Sequence, residues 1–108
     1  MDAKYMNRNS GSDTYPYEIV EVVSARKVMI RPMNTVRAED WQPEMVAGGF
    51  SAHCTNNDSQ RWVITPCPTA EPFAVTQRKD GKWYAEDGAK GMDYTPSVEP
   101  IKFYDFNF

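Results

Sequence analysis

Residues 73–85 read FAVTQRKDGKWYA, and this stretch carries the clearest hairpin signal in the chain. Asp80-Gly81 favours a tight turn between antiparallel strands, because glycine adopts a positive φ angle without steric cost. The flanking runs 73–78 and 82–85 contain aromatic and β-branched residues, which favour strands. The stretch therefore predicts an antiparallel hairpin.

Two further hairpins are predicted on the amino-terminal side of this stretch. Residues 17–23 are dense in valine and isoleucine, and a short connection leads to a second run at 27–31. Residues 50–55 and 61–65 form the next pair, separated by the polar turn residues 56–59. The closing residues 101–108, IKFYDFNF, predict a last strand because they are rich in aromatic side chains.

Prolines mark the connections between these runs. Residues 33–47 follow Pro32 and contain Pro43, and they are predicted to form a long loop with one helical turn at 38–41. Residues 86–100 are also read as a loop. The pattern predicts a mainly β fold, a small antiparallel β barrel or sandwich of six to seven strands with long loops and little helix.

A chain of 108 residues forms one domain with a single modest core. Residues 1–14 are polar and lack periodicity, so they are predicted to be a flexible amino-terminal arm. Residues 15–108 are predicted to be a single β domain.

Bulk charge and composition narrow the class of partner. The net charge of −3 gives no overall attraction to nucleic acid or to anionic lipid, so nucleic-acid binding is not expected and any phosphate site has to be local. The sequence has neither a signal peptide nor an apolar run of membrane length, which predicts a soluble protein of the cytosol without membrane association. Cys54 and Cys67 are predicted to remain thiols.

The segment GGFSAHCTNNDSQRW, residues 48–62, holds most of the candidate site residues. His53 has the chemistry of a metal ligand or a general base. The neighbouring Cys54 points to the opposite face of a strand, and no second histidine completes a metal site, so no metal is predicted. A small hydrolase that uses His53 stays open as one hypothesis.

Asn56, Gln60 and Trp62 suit the recognition of a base or a ribose. The two amides can make paired hydrogen bonds, and the indole offers a stacking face. The alternative is a capped turn beside a core tryptophan, and the sequence does not decide between the two.

Three arginines are candidates for binding phosphate, because a planar guanidinium group can donate two parallel hydrogen bonds to it. They are Arg31, Arg37 and Arg61. Scattered arginines are more often solvated, or paired with carboxylates such as Glu39 and Asp40. The sequence leaves both readings open for each of them.

The segments GGFSAHCTNNDSQRW, RKDGKWY and KFYDFNF, in this order, resemble a family of small proteins carried by bacteriophages and prophages. More distantly, the layout of VEVVSARKVMIRP, Arg37 to Asp40, Gln60 with Trp62, RKDGKW and the aromatic ending is similar to the Thoeris anti-defence sponge proteins. Proteins of that family are not enzymes. They sequester a cyclic ADP-ribose signal of a bacterial immune system in pockets between the subunits of an oligomer.

The sponge resemblance implies a role for named positions of this chain. Arg31 and Arg37 would hold phosphate, and Asn56, Gln60 and Trp62 would lie near the adenine. Lys102 is near a position where the sponge pattern has an arginine. Its ammonium could supply the positive charge, but not the two parallel hydrogen bonds of a guanidinium group. With His53, these residues make up the predicted ligand-binding set. The resemblance further implies a homo-oligomer in the host cytoplasm that binds a small cyclic nucleotide and needs no cofactor.

The alternative function is inhibition of a host defence protein by direct binding, as anti-CRISPR proteins do. Acidic residues would then imitate nucleic acid, and the candidates are Glu18, Glu21, Glu39, Asp40 and Glu44.

Overall fold

The computed structural model describes residues 2–48, 51–86 and 92–106 of the chain. Ten β-strands and one short 3₁₀ helix are present in this part. In chain order the strands are β1 (Tyr5–Ser10), β2 (Asp13–Ser24), β3 (Lys27–Pro32), β4 (Asn34–Arg37), β5 (Met45–Gly48), β6 (Ser51–Cys54), β7 (Trp62–Thr65), β8 (Phe73–Gln77), β9 (Trp83–Ala85) and β10 (Asp93–Ser97), with the 3₁₀ helix at Asn57–Ser59 between β6 and β7.

Six strands close into an antiparallel barrel in the order β1-β10-β9-β8-β3-β2. The remaining strands form two separate two-stranded ribbons, β4–β7 and β5–β6. The predicted mainly β fold with a small barrel is therefore confirmed. Closure removes most of the open edges that an isolated sheet of this size would expose.

The barrel core consists of side chains that alternate along the strands. It contains Met6, Tyr17, Val28, Ile30, Val75, Trp83, Ala85 and Tyr94. Cross-strand neighbours in the register contribute pairs to this core, such as Val28 opposite Val75 and Tyr94 opposite Trp83. Burial of each large apolar side chain stabilises the fold by roughly 1.5–3 kcal/mol, so this cluster dominates the stability of the barrel.

The predicted hairpin at residues 73–85 is present, with β8 paired to β9. Gly81 has a φ angle of 85°, and the Asp80 carboxylate accepts a hydrogen bond from Lys82 N at 2.9 Å. The predicted hairpin of residues 17–23 and 27–31 is also present, as part of β2 and β3.

The second half of β2 differs from a regular strand. Its pairing with β3 is interrupted by register shifts between Ile19 and Glu21 and between Val22 and Ser24, which are β-bulges. Strand β1 pairs with β2 only as far as Glu18, so β3 is the one strand of the described chain that pairs with residues 20–24. Three valines of this half are exposed, namely Val20, Val22 and Val23.

The expected amino-terminal arm is instead part of the barrel from Tyr5 onward. Strand β1 pairs with both β2 and β10, and the Met6 side chain is completely buried. A two-residue turn follows β1, in which Gly11 has a φ angle of 60°. The polar composition hid this strand because Met6 is its residue in the core cluster, and the four residues that follow Met6 are polar on both faces.

Residues 50–55 and 61–65 do not pair with each other as predicted. Strand β6 pairs with β5 and strand β7 pairs with β4, and both partners lie within the expected loop 33–47. Within the segment predicted as a loop, residues 38–41 form a single turn closed by a hydrogen bond from Trp41 N to Ala38 O at 3.1 Å. The polar residues 56–60 form a 3₁₀ turn that separates the two ribbons.

The last strand of the barrel also lies elsewhere than predicted. Strand β10, Asp93–Ser97, falls in the expected loop 86–100, where Pro96 concealed it. Residues 101–106 of the predicted closing strand make one isolated bridge, between Phe103 and Thr14. Residues 99–106, here called the C-terminal strap, run across the barrel beside the β1–β2 hairpin.

Candidate ligand-binding site

The C-terminal strap is fixed to the barrel by backbone and side-chain hydrogen bonds. Thr14 and Phe103 exchange two backbone hydrogen bonds of 2.9 and 3.0 Å. The Asp13 carboxylate accepts a hydrogen bond from Asp105 N at 2.8 Å. The buried Asn7 amide accepts from Ile101 N at 3.0 Å and donates to Glu99 O at 3.3 Å. These contacts hold the strap in one position over this part of the barrel.

Gln60 attaches the strap to strand β7. Its amide donates from Nε2 to the Tyr104 carbonyl and accepts at Oε1 from Tyr104 N at 3.0 Å, so it bonds both backbone groups of Tyr104 as a residue of a neighbouring strand would. The same Oε1 accepts a hydrogen bond from the Trp62 indole at 2.9 Å. Gln60 thereby fixes the orientation of the Trp62 ring relative to the strap.

Lys102 of the strap lies between two aromatic side chains. Its ammonium is 3.9 Å from the centre of the Tyr15 ring and 5.2 Å from the centre of the Trp62 ring. Arg8 is placed in the same manner, with its guanidinium carbon 4.7 Å from the Tyr15 ring centre and 5.7 Å from that of Tyr17. The contacts follow the order Tyr17, Arg8, Tyr15, Lys102, Trp62, an alternation of rings and cations that we call the cation–aromatic series.

The strand register explains how β1 and β2 build this series. Arg8 lies directly opposite Tyr15, and Met6 lies directly opposite Tyr17. Residues two apart share a face of a strand, so Arg8 is on the same face as the core residue Met6 and Tyr15 on the same face as Tyr17. The series thus extends the barrel core outward, from buried Tyr17 to half-buried Trp62.

Positive charge exceeds negative charge along the cation–aromatic series. Asp13 is the carboxylate beside it, and it accepts a hydrogen bond from the Tyr15 hydroxyl at 3.4 Å. Burial lowers the pKa of Lys102 below its ordinary value of 10.5; Asp13 opposes that shift and Arg8 adds to it. The Arg8 Nε atom is buried and has no hydrogen-bond partner among the described residues.

The same environment acts on Tyr15. Its pKa is raised above 10.0, mainly by burial and then by the negative charge of Asp13, while Arg8 opposes the shift. The phenol therefore stays neutral at physiological pH and presents an uncharged ring to both cations. Each cation–aromatic contact of this kind contributes about 0.5–2 kcal/mol.

Arg37 is brought to the outer end of the series. Arg37 and Trp62 are directly opposite each other in the β4–β7 ribbon, and such neighbours point to the same face of a sheet. The Arg37 side chain is exposed, and it has no ion pair with a described residue. Trp62 is therefore flanked by Lys102 from the strap and by Arg37 from the adjacent strand.

Arg31 is not part of this arrangement. Its Nε donates to the Glu18 carboxylate at 2.9 Å across the β2–β3 pair, so its charge is neutralised. Arg61 is likewise paired with the Asp40 carboxylate. Of the three arginines singled out in the sequence, only Arg37 is without a carboxylate partner in the described chain.

Asn56 has an internal role in the structure. Its Nδ2 donates to Gln42 O at 2.8 Å, and its Oδ1 accepts from Glu44 N at 2.7 Å. These bonds tie the 3₁₀ turn to the segment before β5. Asn56 and Gln60 thus both use their amides in hydrogen bonds within the protein, and Gln60 positions Trp62. Their contact with a ligand stays a prediction.

The described backbone places His53 in β6, directly opposite Val46. The side chain of His53 lies outside the described part, so its predicted contact with a ligand stays a prediction. No group of three or more potential metal-ligating side chains is found among the described residues. Cys54 and Cys67 are both thiols, as predicted.

Two central residues of the series, Arg8 and Tyr15, were not predicted from the sequence. They lie in or beside the segment read as a flexible arm. The signal that could have revealed them is SGSD at residues 10–13, a glycine-containing turn with Arg8 and Tyr15 at symmetric distances on either side.

Comparisons of the chain with protein-family models, curated proteins and solved structures found no match. The described part of the chain also contains no helix long and apolar enough to cross a membrane.

Proposed function

We propose that the protein binds a nucleotide without chemical turnover, with the base stacked on Trp62 and the phosphate held by Lys102 and Arg37. The observation that carries the proposal is the position of the Lys102 ammonium, 5.2 Å from the indole centre and without an ion pair in the described chain. An anion next to this ammonium would neutralise a partly desolvated charge. Charge-assisted hydrogen bonds of this kind contribute about 1.5–3 kcal/mol each.

The proposed site combines the two elements that nucleotide recognition requires. An aromatic face supplies stacking to any base, at about 1–3 kcal/mol. Cations beside that face supply affinity for phosphate, and the hydrogen bond from the Trp62 indole to Gln60 keeps the ring in place. Neither contribution requires a reacting group, so capture of a ligand is sufficient as the biochemical role.

The resemblance to phage proteins and to the Thoeris sponge proteins gives this proposal its biological setting. In that setting the ligand is a cyclic nucleotide immune signal of the ADP-ribose type, and the protein acts as an oligomer in the host cytoplasm. The proposal assigns the phosphate to Lys102 and Arg37 instead of the pair Arg31 and Arg37 that the resemblance implies, because Arg31 is paired with Glu18.

The test is calorimetric titration of the protein with a panel of cyclic and linear nucleotides, followed by native mass spectrometry of the complex. We expect 1:1 binding per chain, weakened at least about tenfold by Lys102→Gln, because one charge-assisted contact is lost. Lys79→Gln is the matched control, since Lys79 is exposed at the tip of the β8–β9 hairpin. Equal affinity of both variants and the wild type for every nucleotide would refute the proposal.

A second candidate function is binding to a host defence protein, and one observation favours it. Val36 and Val63 are directly opposite each other on the outer face of the β4–β7 ribbon, and they are 64% and 53% exposed. Adjacent exposed valines are typical of a protein contact surface. The expected imitation of nucleic acid has less support, because Glu18 and Asp40 are paired with arginines.

The two functions make opposite predictions for one variant. Val63→Lys would abolish binding to a protein partner and leave nucleotide affinity unchanged, whereas Lys102→Gln would do the reverse. Affinity purification from host lysate with wild type and both variants distinguishes them.

A further inference from the structure

Arg8 is a cation of the series for which the described chain supplies no acceptor. Its Nε is buried and has no hydrogen-bond partner among the described residues. The ion pairs of the described chain belong to other basic residues, and none includes Arg8. A charged donor that leaves water without an acceptor carries a larger desolvation cost than a neutral one. The contacts with the Tyr15 and Tyr17 rings therefore offset this cost only in part.

The outer edge of the Arg8 guanidinium is open to a ligand. The residue is half-buried, and Nε is its one nitrogen that is both enclosed and without a partner. The two terminal amino groups make no hydrogen bond to a described residue either, so they face solvent. Together they can donate two parallel hydrogen bonds to the oxygens of one anion.

Positive charge accumulates around Tyr15. The Lys102 ammonium and the Arg8 guanidinium carbon lie 3.9 and 4.7 Å from the centre of this ring, and Arg8 lowers the pKa of Lys102. Asp13 is the carboxylate beside them, and it already accepts hydrogen bonds from Asp105 N and from the Tyr15 hydroxyl. One carboxylate between two cations leaves an excess of positive charge, which an anion at Arg8 would neutralise.

The charge balance favours a phosphate group over a carboxylate as that anion. A phosphate monoester carries a charge of about −1.5 to −2 at pH 7, which matches two cations that have no ion pair in the described chain. A carboxylate brings a single negative charge, the same as Asp13 already supplies. Chloride has no pair of oxygens to accept the parallel hydrogen bonds of a guanidinium group.

We propose that Arg8 forms an oxyanion site at the inner end of the cation–aromatic series, where its terminal amino groups bind a phosphate group and the charge of Lys102 adds to the attraction. Neither the sequence nor the resemblance singled out Arg8. The inference rests on the proposed function only for the source of the phosphate, which is then part of the bound nucleotide. Free phosphate has the same chemistry and would bind in the same place.

The experiment is an NMR titration of the full chain with sodium phosphate, in which the Nε–H signals of the arginines and the ammonium signal of Lys102 are followed. Sodium acetate and sodium chloride at matched ionic strength are the comparison salts. We expect a saturable shift of the Arg8 signal with phosphate and not with the other two. The pKa of Lys102 should rise toward 10.5, because the bound anion offsets the charge of Arg8. Arg26 is the internal reference, since it is exposed and has no ion pair in the described chain.

Substitutions test the same site from both directions. Arg8→Gln should weaken phosphate binding at least about tenfold, because the charge-assisted hydrogen bonds are lost. Asp13→Asn should strengthen it by about threefold, because a repelling charge is removed while an oxygen remains to accept from Asp105 N. Arg26→Gln should leave it unchanged. If Arg8→Gln also destabilises the barrel, the titration of the wild type still decides the question.

The outcomes separate this inference from the function proposed above. An Arg8 signal that shifts with phosphate no more than that of Arg26, or equally with acetate, overturns the inference and leaves nucleotide binding at Trp62 untouched. A nucleotide that displaces phosphate from Arg8 supports the site and identifies the nucleotide as its source. A nucleotide that perturbs Trp62 without displacing phosphate supports a site for free phosphate. If no nucleotide binds, the proposed function fails, and a saturable phosphate shift at Arg8 still supports the site.

Discussion

The side chain of Gln60 hydrogen-bonds to both the N–H and the C=O of Tyr104, residues that are far apart in the chain. The same amide oxygen accepts the Trp62 indole N–H. Gln60 thus joins the C-terminal strap to the Trp62 indole, in addition to the hydrogen bonds that hold the strap against β1 and β2. Lys102, two residues before Tyr104, reaches the Trp62 ring only because the strap is held at this place.

Replacing Gln60 by alanine should destabilise the protein and release the strap. Several hydrogen bonds are lost at about 0.5–1.5 kcal/mol each, so we expect a loss of roughly 2–3 kcal/mol in the free energy of unfolding. Urea denaturation measures the total, and hydrogen exchange of residues 101–106 measures the local effect. Gln77→Ala is the control, since Gln77 donates one exposed hydrogen bond to Gly81 O. Equal exchange rates in both variants would contradict this role of Gln60.

Replacing Met6 by alanine tests whether β1 belongs to the barrel. The Met6 side chain is completely buried, so the substitution should leave a cavity and cost about 2–5 kcal/mol. Thermal unfolding followed by circular dichroism measures this loss. Lys4→Ala, an exposed position just before β1, should have little effect. If Met6→Ala had as small an effect as Lys4→Ala, the amino-terminal residues would be an arm after all.

The pKa of Lys102 should respond to its charged neighbours in opposite directions. Arg8→Gln removes a like charge and should raise the pKa of Lys102 toward 10.5, whereas Asp13→Asn removes an opposite charge and should lower it further. NMR titration of the lysine side chain gives the value directly. A titration of Lys102 that neither substitution moves would show that the three groups do not interact.

The same shift has a consequence for stability as a function of pH. Because the pKa of Lys102 is lower in the folded state, the unfolded chain binds more protons between that value and 10.5. The cost of holding the charged ammonium is therefore fully present below the folded pKa and disappears as the pH rises past 10.5. Relative to Lys102→Met, the wild type should gain stability over this interval. Tyr15, with its raised pKa, acts in the opposite sense above 10.0, so both proteins must be compared at each pH.

Substitution of the arginines should distinguish the site proposed from the structure from the one that the sequence and the resemblance imply. Arg31→Gln should leave nucleotide affinity within about twofold of the wild type, since Arg31 is paired with Glu18. Arg37→Gln should reduce nucleotide affinity about tenfold, because the Arg37 guanidinium has no carboxylate partner in the described chain and can bind phosphate beside Trp62. Calorimetry with one nucleotide measures both. An effect of Arg31→Gln as large as that of Arg37→Gln would place the phosphate on β3.

The barrel could be predicted where the signals are local. The Asp80-Gly81 turn and the valine-rich run before Lys27 each specify a hairpin within a few residues, and both hairpins are present. The pairing of β4 with β7 is not local, because β5, β6 and the 3₁₀ helix lie between the two strands in the chain. The pairing of β5 with β6 is local, and it was missed because residues 33–47 were assigned to a loop. Strand β10 was hidden by Pro96, which in the structure lies opposite Met6.

The site could be predicted only in part for the same reason. Trp62 and Arg37 were singled out by their chemistry, and Lys102 by the sponge resemblance. The structure places the Lys102 ammonium over the Trp62 ring and Arg37 opposite Trp62 in the β4–β7 ribbon. Gln60 was singled out without its partner in the structure, since its amide hydrogen-bonds to Tyr104, which is 44 residues away in the chain. Arg8 and Tyr15 become neighbours through the β1–β2 register, which could not be read from a segment taken to be without structure.

The bulges in β2 have a consequence for the behaviour of the protein at high concentration. A straight strand with three exposed valines and an open side could template the addition of strands from other molecules and lead to fibrils. The two register shifts bend and twist residues 20–24, which disrupts the regular spacing of hydrogen-bonding groups that an incoming strand needs. The irregular half of β2 thus protects the chain against aggregation, and restoring a regular register there should shorten its lifetime in concentrated solution.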